Sequence, residues 1–219
     1  MSRRVKRVPK RLEGLNLDFV DKIYYINLDD RKDRLENIVK QVGKVDPGMK
    51  KSERVSAVRR NIGIIGCGES HVKTLQRALD EGHETVLVFE DDFEFEIDPE
   101  QVKTILTKFL NSHPNYNVFC LGRRLLSGRR LPTGFVEATD CQTTSCYMVR
   151  RHFIPKLIEV FQESVDELNR GMPTRTSALD IKWKILQTPG GEFYTTEEKI
   201  GKQMRSFSDI ENQLVDYGC

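Results

Sequence analysis

Residues 85–98, TVLVFEDDFEFEID, constrain the chain more than any other stretch. Val86, Leu87, Val88 and Phe89 form an unbroken apolar run, which suits a short strand buried on both faces of a mostly parallel sheet. Glu90, Asp91 and Asp92 follow at once. In an open α/β sheet, ligands sit in the crevice beyond the carboxyl ends of the strands, so acids placed there face a site. Adjacent carboxylates repel one another unless a cation or a proton sits among them. A hard divalent ion, Mg²⁺ or Mn²⁺, takes oxygen ligands and commonly shares them between one or two carboxylates and a phosphate. The simplest ligand is then a metal-bound nucleoside diphosphate. The alternative is an acidic turn solvated at the surface.

At 219 residues the chain suits one large domain, and 38% apolar with 31% charged residues is the make-up of an ordinary globular protein. The net charge of +2 conceals an asymmetry, because Arg3, Arg4, Lys6, Arg7, Lys10 and Arg11 all precede the first acid. Without those six the balance is 29 basic against 33 acidic residues, a body near −4. Such a body argues against a nucleic-acid surface, which needs basic residues gathered on one face. Residues 1–18 are expected to be a disordered basic arm that could touch an anionic membrane surface. Residues 19–190 are expected to hold the folded domain and 191–219 a polar tail. No apolar stretch approaches the ~20 residues of a membrane span, and the default expectation is a cytoplasmic protein. Cys67, Cys120, Cys141, Cys146 and Cys219 lack paired spacing, so neither a disulfide framework nor a zinc site is expected.

In chain order, residues 23–28 (IYYINL) read as a first strand ending at Asp29 and Asp30. Leu35, Ile38, Val39 and Val42 then recur at helical spacing, with Gly43 as the stop. The loop and first turn hold Asn27, Asp29, Arg31 and Arg34, a mixture suited to a ribose, a base edge and phosphates, beside the partial positive charge of a helix start. Arg31, Asp33 and Arg34 could equally be exposed helix charges. Residues 54–58 give a second strand, and the three glycines of residues 61–68 (NIGIIGCG) allow positive φ or close backbone approach, with a spacing that is neither a dinucleotide nor a P-loop fingerprint. A helix stripe follows at Val72, Leu75, Ala78 and Leu79, with Ser70 and His71 in its first turn. A lone histidine at a helix start is more often structural than catalytic. Beyond the acids, Phe93, Phe95 and Ile97 alternate with charged residues, and Asp98, Pro99 and Gln101 spell a capping box for a helix over 102–110. Strands are expected at 118–121, 135–139 and 145–149, and helices at 153–169 and 178–187, the last carrying Asp180 and Trp183.

Taken together, these stretches resemble glycosyltransferase family 25. The resemblance runs over residues 23–187 and rests on INLDDRKDR (26–34), the GxxGCxxSH run (63–71), LVFEDD (87–92), LGRR (121–124), the Thr-rich approach to a strand (143–149) and an Asp ahead of a Trp (Asp180, Trp183). It implies a GT-A-like single domain, α/β, with a mostly parallel Rossmann-like sheet flanked by helices. It also implies an inverting transfer of a hexose, galactose or glucose, from a UDP-sugar to a hydroxyl of a glycan or glycoprotein acceptor. By that likeness Glu90 and Asp92 sit at a Mn²⁺ (or Mg²⁺) ion and Asp91 turns toward the ribose or sugar. Asn27, Leu28, Arg31, Arg34, Ser56 and Thr144 line the nucleotide sugar. Inversion needs a group on the opposite face of the sugar to take the acceptor proton, with Asp180 the first choice and His71 the second. Where family members often carry Asp-Gly after the second strand, this chain has Arg59 and Arg60. The competing reading is a catalytically inactive GT-A-like protein that binds carbohydrate or a partner, and the retention of all three acids argues against it.

Overall fold

In the computed structural model the described residues are Leu17, 19–204, 206–208 and 213–215. Most of the expected basic arm and Cys219 lie outside them.

Two strand–helix units open the fold: β1 (Lys22–Asn27) with α1 (Lys32–Val45), and β2 (Ser52–Ser56) with α2 (Gly63–Asp80). Next come β3 (Thr85–Glu90), the short β4 (Phe93–Phe95) and α3 (Pro99–Ser112). A long hairpin of β5 (Val118–Arg130) and β6 (Phe135–Arg150) then leads into α4 (Ile154–Asn169). After it come α5 (Thr174–Ser177), α6 (Leu179–Lys182), β7 (Phe193–Thr196) and β8 (Gly201–Gln203), with a small pair of β9 (Ser206–Ser208) and β10 (Gln213–Val215). The main sheet has the order β2-β1-β3-β6-β5-β7. Its β1–β2, β1–β3 and β5–β7 pairs are parallel, and β6 alone runs against the rest.

Alternation along each strand sorts the core into two layers. Ile23, Tyr25, Leu87 and Phe89 pack with Ile38 and Val42 of α1 and Leu106 and Phe109 of α3. Tyr24, Ile26, Val86 and Val88 face the other way, onto Leu75 of α2, Phe161 of α4 and Trp183. Successive strand side chains point to opposite faces, so an apolar run such as 86–89 is required only where both faces are covered. Each fully buried side chain of this size contributes roughly 1.5–3 kcal/mol by leaving water.

Several sequence expectations change. Gly43 does not stop α1, which continues to Val45. Ser70 and His71 are not in the first turn of their helix, since α2 begins at Gly63 and His71 sits in mid-helix, wholly buried. Gly66 permits this because a Cβ there would lie 2.3 Å from the Val58 carbonyl oxygen, so only glycine lets α2 cross the end of β2 so closely. The strands expected at 135–139 and 145–149 are one. The helix expected over 178–187 is a single turn of α6 followed by a 3₁₀ turn over Trp183–Leu186. The stretch expected as a polar tail supplies β7, which pairs with both β5 and β6, and β8, which pairs with β4. The capping box at Asp98 and Gln101 forms as the sequence spells it.

Candidate active site

Parallel pairing places Ile26 of β1 opposite Glu90 of β3, so the two strands release their next residues side by side. Asn27 thereby meets Asp91, donating from Nδ2 to Oδ2 at 2.8 Å, while its Oδ1 accepts from Arg54 Nε at 3.0 Å. Arg34, in the first turns of α1, reaches the same point: its Nη1 donates to Asp91 Oδ1 at 3.0 Å and to Asp92 Oδ2 at 3.2 Å. The turn is fixed from outside by Met204, whose N–H donates to the Asp92 carbonyl at 2.6 Å.

Around these groups lies a pocket at the carboxyl ends of β1 and β3, walled on one side by the start of α2. Glu90 enters it half-buried. Its Oε1 accepts from Thr144 Oγ1 at 2.7 Å and stands 3.2 Å from His71 Nε2, and the other ring nitrogen, Nδ1, is 3.0 Å from the Tyr147 hydroxyl. Thr143 is held at φ 70, a left-handed conformation that a β-branched residue adopts only under constraint. Its N–H donates to Asp180 Oδ2 at 3.2 Å, which pins the strained residue and aims the adjacent Thr144 at Glu90.

The electrostatics follow from crowding. Burial, reinforced by the charges of Glu90 and Asp91, pushes Asp92 up to about 7. Burial also raises Asp91, against the pull of Arg34 and Asn27, and raises Asp180, with Glu90 adding to it. Glu90 goes the other way: burial alone would raise it, but contact with His71 and Thr144 outweighs that and holds it low. Burial sends the Cys67 thiol up, so it is protonated while no cation is present.

A divalent ion fits the acids on one observation: Asp92 Oδ1 is buried and accepts no hydrogen bond. A desolvated carboxylate oxygen without a donor is stable only if protonated or coordinated. The Glu90 and Asp92 carboxylates offer only oxygen, the donor type that a hard divalent ion takes.

Asn27, Leu28, Arg34, His71, Glu90, Asp91 and Asp92 all line the pocket. Thr144 reaches it through Glu90, and Asp180 lies behind Thr143. Two other sequence candidates point elsewhere. Arg31 forms a two-pronged pair with Asp33, and Ser56 donates to Asp29 at 2.8 Å, so neither lines the pocket. Sequence reading missed Cys67, which lies one helical turn before His71, and Gln203, brought in by β8. It also left Arg59 and Arg60 without a role. They line the pocket mouth, ion-paired to Asp30 and Glu69. Placing α2 from Gly63 would have found Cys67, whereas nothing local marks Gln203.

Among the described residues, no helix is long and apolar enough to cross a membrane. None of the curated proteins matches this chain. A glycosyltransferase involved in the glycosylation of the major capsid of PBCV-1 superposes with a TM-score of 0.55 at 11% identity, over 87% of this chain and 96% of that one. A mannose-1-phosphate geranyltransferase from Thermus thermophilus gives 0.47 at 12% identity, over 83% and 74%. The first likeness is one of fold, of GT-A type. The family profile described as glycosyltransferase family 25 (LPS biosynthesis protein) matches residues 50–177, which carry α2, the acidic turn and the β5–β6 hairpin. With more than half its length matched, and with the strand order and acidic turn in place, this chain belongs to glycosyltransferase family 25.

Proposed function

We propose that the protein is an inverting, metal-dependent hexosyltransferase that moves galactose or glucose from a UDP-sugar to a hydroxyl of a glycan or glycoprotein. The observation that carries this reading is the unpartnered, buried Oδ1 of Asp92 in a pocket at the strand ends. Glu90 and Asp92 would hold Mn²⁺ or Mg²⁺, which supplies charge neutralisation for a departing diphosphate. Asn27 and Arg34 fix the Asp91 carboxylate, leaving it pre-set as an acceptor for a ribose or sugar hydroxyl. Arg59 and Arg60 stand at the mouth in place of the Asp-Gly of other members, paired to Asp30 and Glu69.

For the acceptor proton, Asp180 is the base proposed first. Burial raises it, which favours taking a proton, and the Thr143 N–H orients it. His71 is engaged through both ring nitrogens.

A thermal-shift screen of UDP-, GDP- and CMP-sugars with and without Mn²⁺, followed by a donor-hydrolysis assay, tests the proposal. Metal-dependent stabilisation by UDP-sugars and release of UDP are expected. Sugar binding without UDP release under any metal would instead favour the inactive binding protein.

A further inference from the structure

Cys67 and His71 are four residues apart on α2, which puts both side chains on one face of the helix. Opposite them stands Glu90, at the end of β3. Cys67 Sγ, a ring nitrogen of His71 and a carboxylate oxygen of Glu90 all lie within 4.8 Å of one another, and all three residues line the pocket. We propose that these three side chains form a second cation site, selective for a borderline transition-metal ion of the Zn²⁺ class. The proposal goes beyond the transferase reading and does not require it.

The ligand chemistry differs from that of Glu90 and Asp92. Sulfur and imidazole favour Zn²⁺ or Co²⁺ over Mg²⁺ or Mn²⁺, whereas an all-carboxylate pair favours the hard ions. Three protein ligands with a fourth direction open to the pocket is the usual arrangement for a zinc ion that remains accessible. An outer layer is also present. The buried Tyr147 hydroxyl contacts His71 Nδ1 at 3.0 Å and stacks its ring near the imidazole, with centroids 5.7 Å apart. Without metal the Glu90 carboxylate accepts from His71 Nε2–H; because the Tyr147 hydroxyl can donate or accept, the imidazole can carry its proton on Nδ1 instead when a metal binds, which leaves Nε2 to ligate. Thr144 Oγ1 holds Glu90 Oε1 in place at 2.7 Å. On binding, the Cys67 thiol gives its proton to solvent as the sulfur–metal bond forms.

The test is a titration of the metal-stripped full chain with Co²⁺, read by absorption, and with Zn²⁺ against a chromophoric chelator. One equivalent of Co²⁺ should give a thiolate-to-cobalt charge-transfer band in the wild type, in Asp92→Ala and in the thiol control Cys219→Ser, but not in Cys67→Ser. Cys67→Ser should weaken Zn²⁺ binding more than about 100-fold, and Tyr147→Phe by about 10–100-fold. Iodoacetamide labelling of the wild type, read by mass spectrometry, needs no variant: Zn²⁺ should slow alkylation of Cys67 and Mg²⁺ should not. No charge-transfer band at saturating Co²⁺, or alkylation of Cys67 indifferent to Zn²⁺, overturns the site. So does Zn²⁺ affinity within about threefold of wild type in a cooperatively melting Cys67→Ser. Asp92→Ala separates the two proposals, because it should abolish UDP release while leaving the cobalt band intact.

Discussion

Asp92 sits where two demands conflict, since its carboxylate is buried beside two other acids, with Arg34 and Gln203 offsetting the charge. Removing the charge should therefore relieve the fold while removing the metal ligand. Asp92→Ala is expected to abolish turnover and, in chelator, to melt at or above the wild-type temperature. A drop of several degrees in the chelated variant would mean that the carboxylate is structural. Arg34 is the converse case. One guanidinium nitrogen serves both Asp91 and Asp92, so Arg34→Met removes the cation that the two buried carboxylates share. Breaking a buried pair by deleting one partner costs roughly 3–5 kcal/mol. Chemical denaturation should show a loss of that order, partly recovered by adding Asp91→Asn. No recovery would place the loss in packing.

Among the elements, α2 matters most, because it delivers Cys67 and His71 and closes one wall of the pocket. Its approach to the strand ends depends on glycine at a single crossing. Gly66→Ala would push a methyl into the Val58 carbonyl, a backbone contact that no rotamer change relieves. Overpacking of this kind costs about 1–3 kcal/mol. The variant should lower the melting temperature and weaken UDP-sugar binding together. Intact donor affinity alongside lowered stability would show that the pocket does not follow the helix. The periodic signal of α2 was legible from Val72 onward, but its first turns were hidden, because three glycines in eight residues look like a loop to any propensity argument. Close packing across β2 overrides that preference.

For the molecule as a unit, β7 and β8 tie residues 193–203 to the body. Ending the chain after residue 191 removes a strand paired to both β5 and β6, together with Gln203. The truncated chain should lose its cooperative melt, which differential scanning fluorimetry would reveal. A sharp transition near the wild-type temperature would show that the sheet closes without them. The acid limb of stability should arise from surface carboxylates held by arginine. Arg77 and Tyr24 hold Glu81 at about 2, and Arg31 holds Asp33 at about 2. Folded values below the ordinary carboxylate range add stability that is present above roughly pH 4.5 and is lost as pH falls toward 2. Melting temperatures measured from pH 5 to 2 should decline across that interval, less steeply in Glu81→Gln.

The order of residues was enough to specify the elements whose signals are local. The buried run 86–89, the acids placed at its end, the capping box at Asp98 and the strand–helix opening could all be read from spacing and residue type, and with them the family resemblance. Which polar groups meet was settled by the folded arrangement. Asp91 finds Asn27 and Arg34 across 64 and 57 residues, Glu90 finds Thr144 across 54, and Gln203 arrives through β8, while Arg31 and Ser56 turn to other partners. Hydrogen bonds and ion pairs act over a few ångströms, and the chain separations they span carry no periodic trace. Local order can therefore be read along the chain, whereas the chemistry of the pocket depends on where the sheet brings distant residues together.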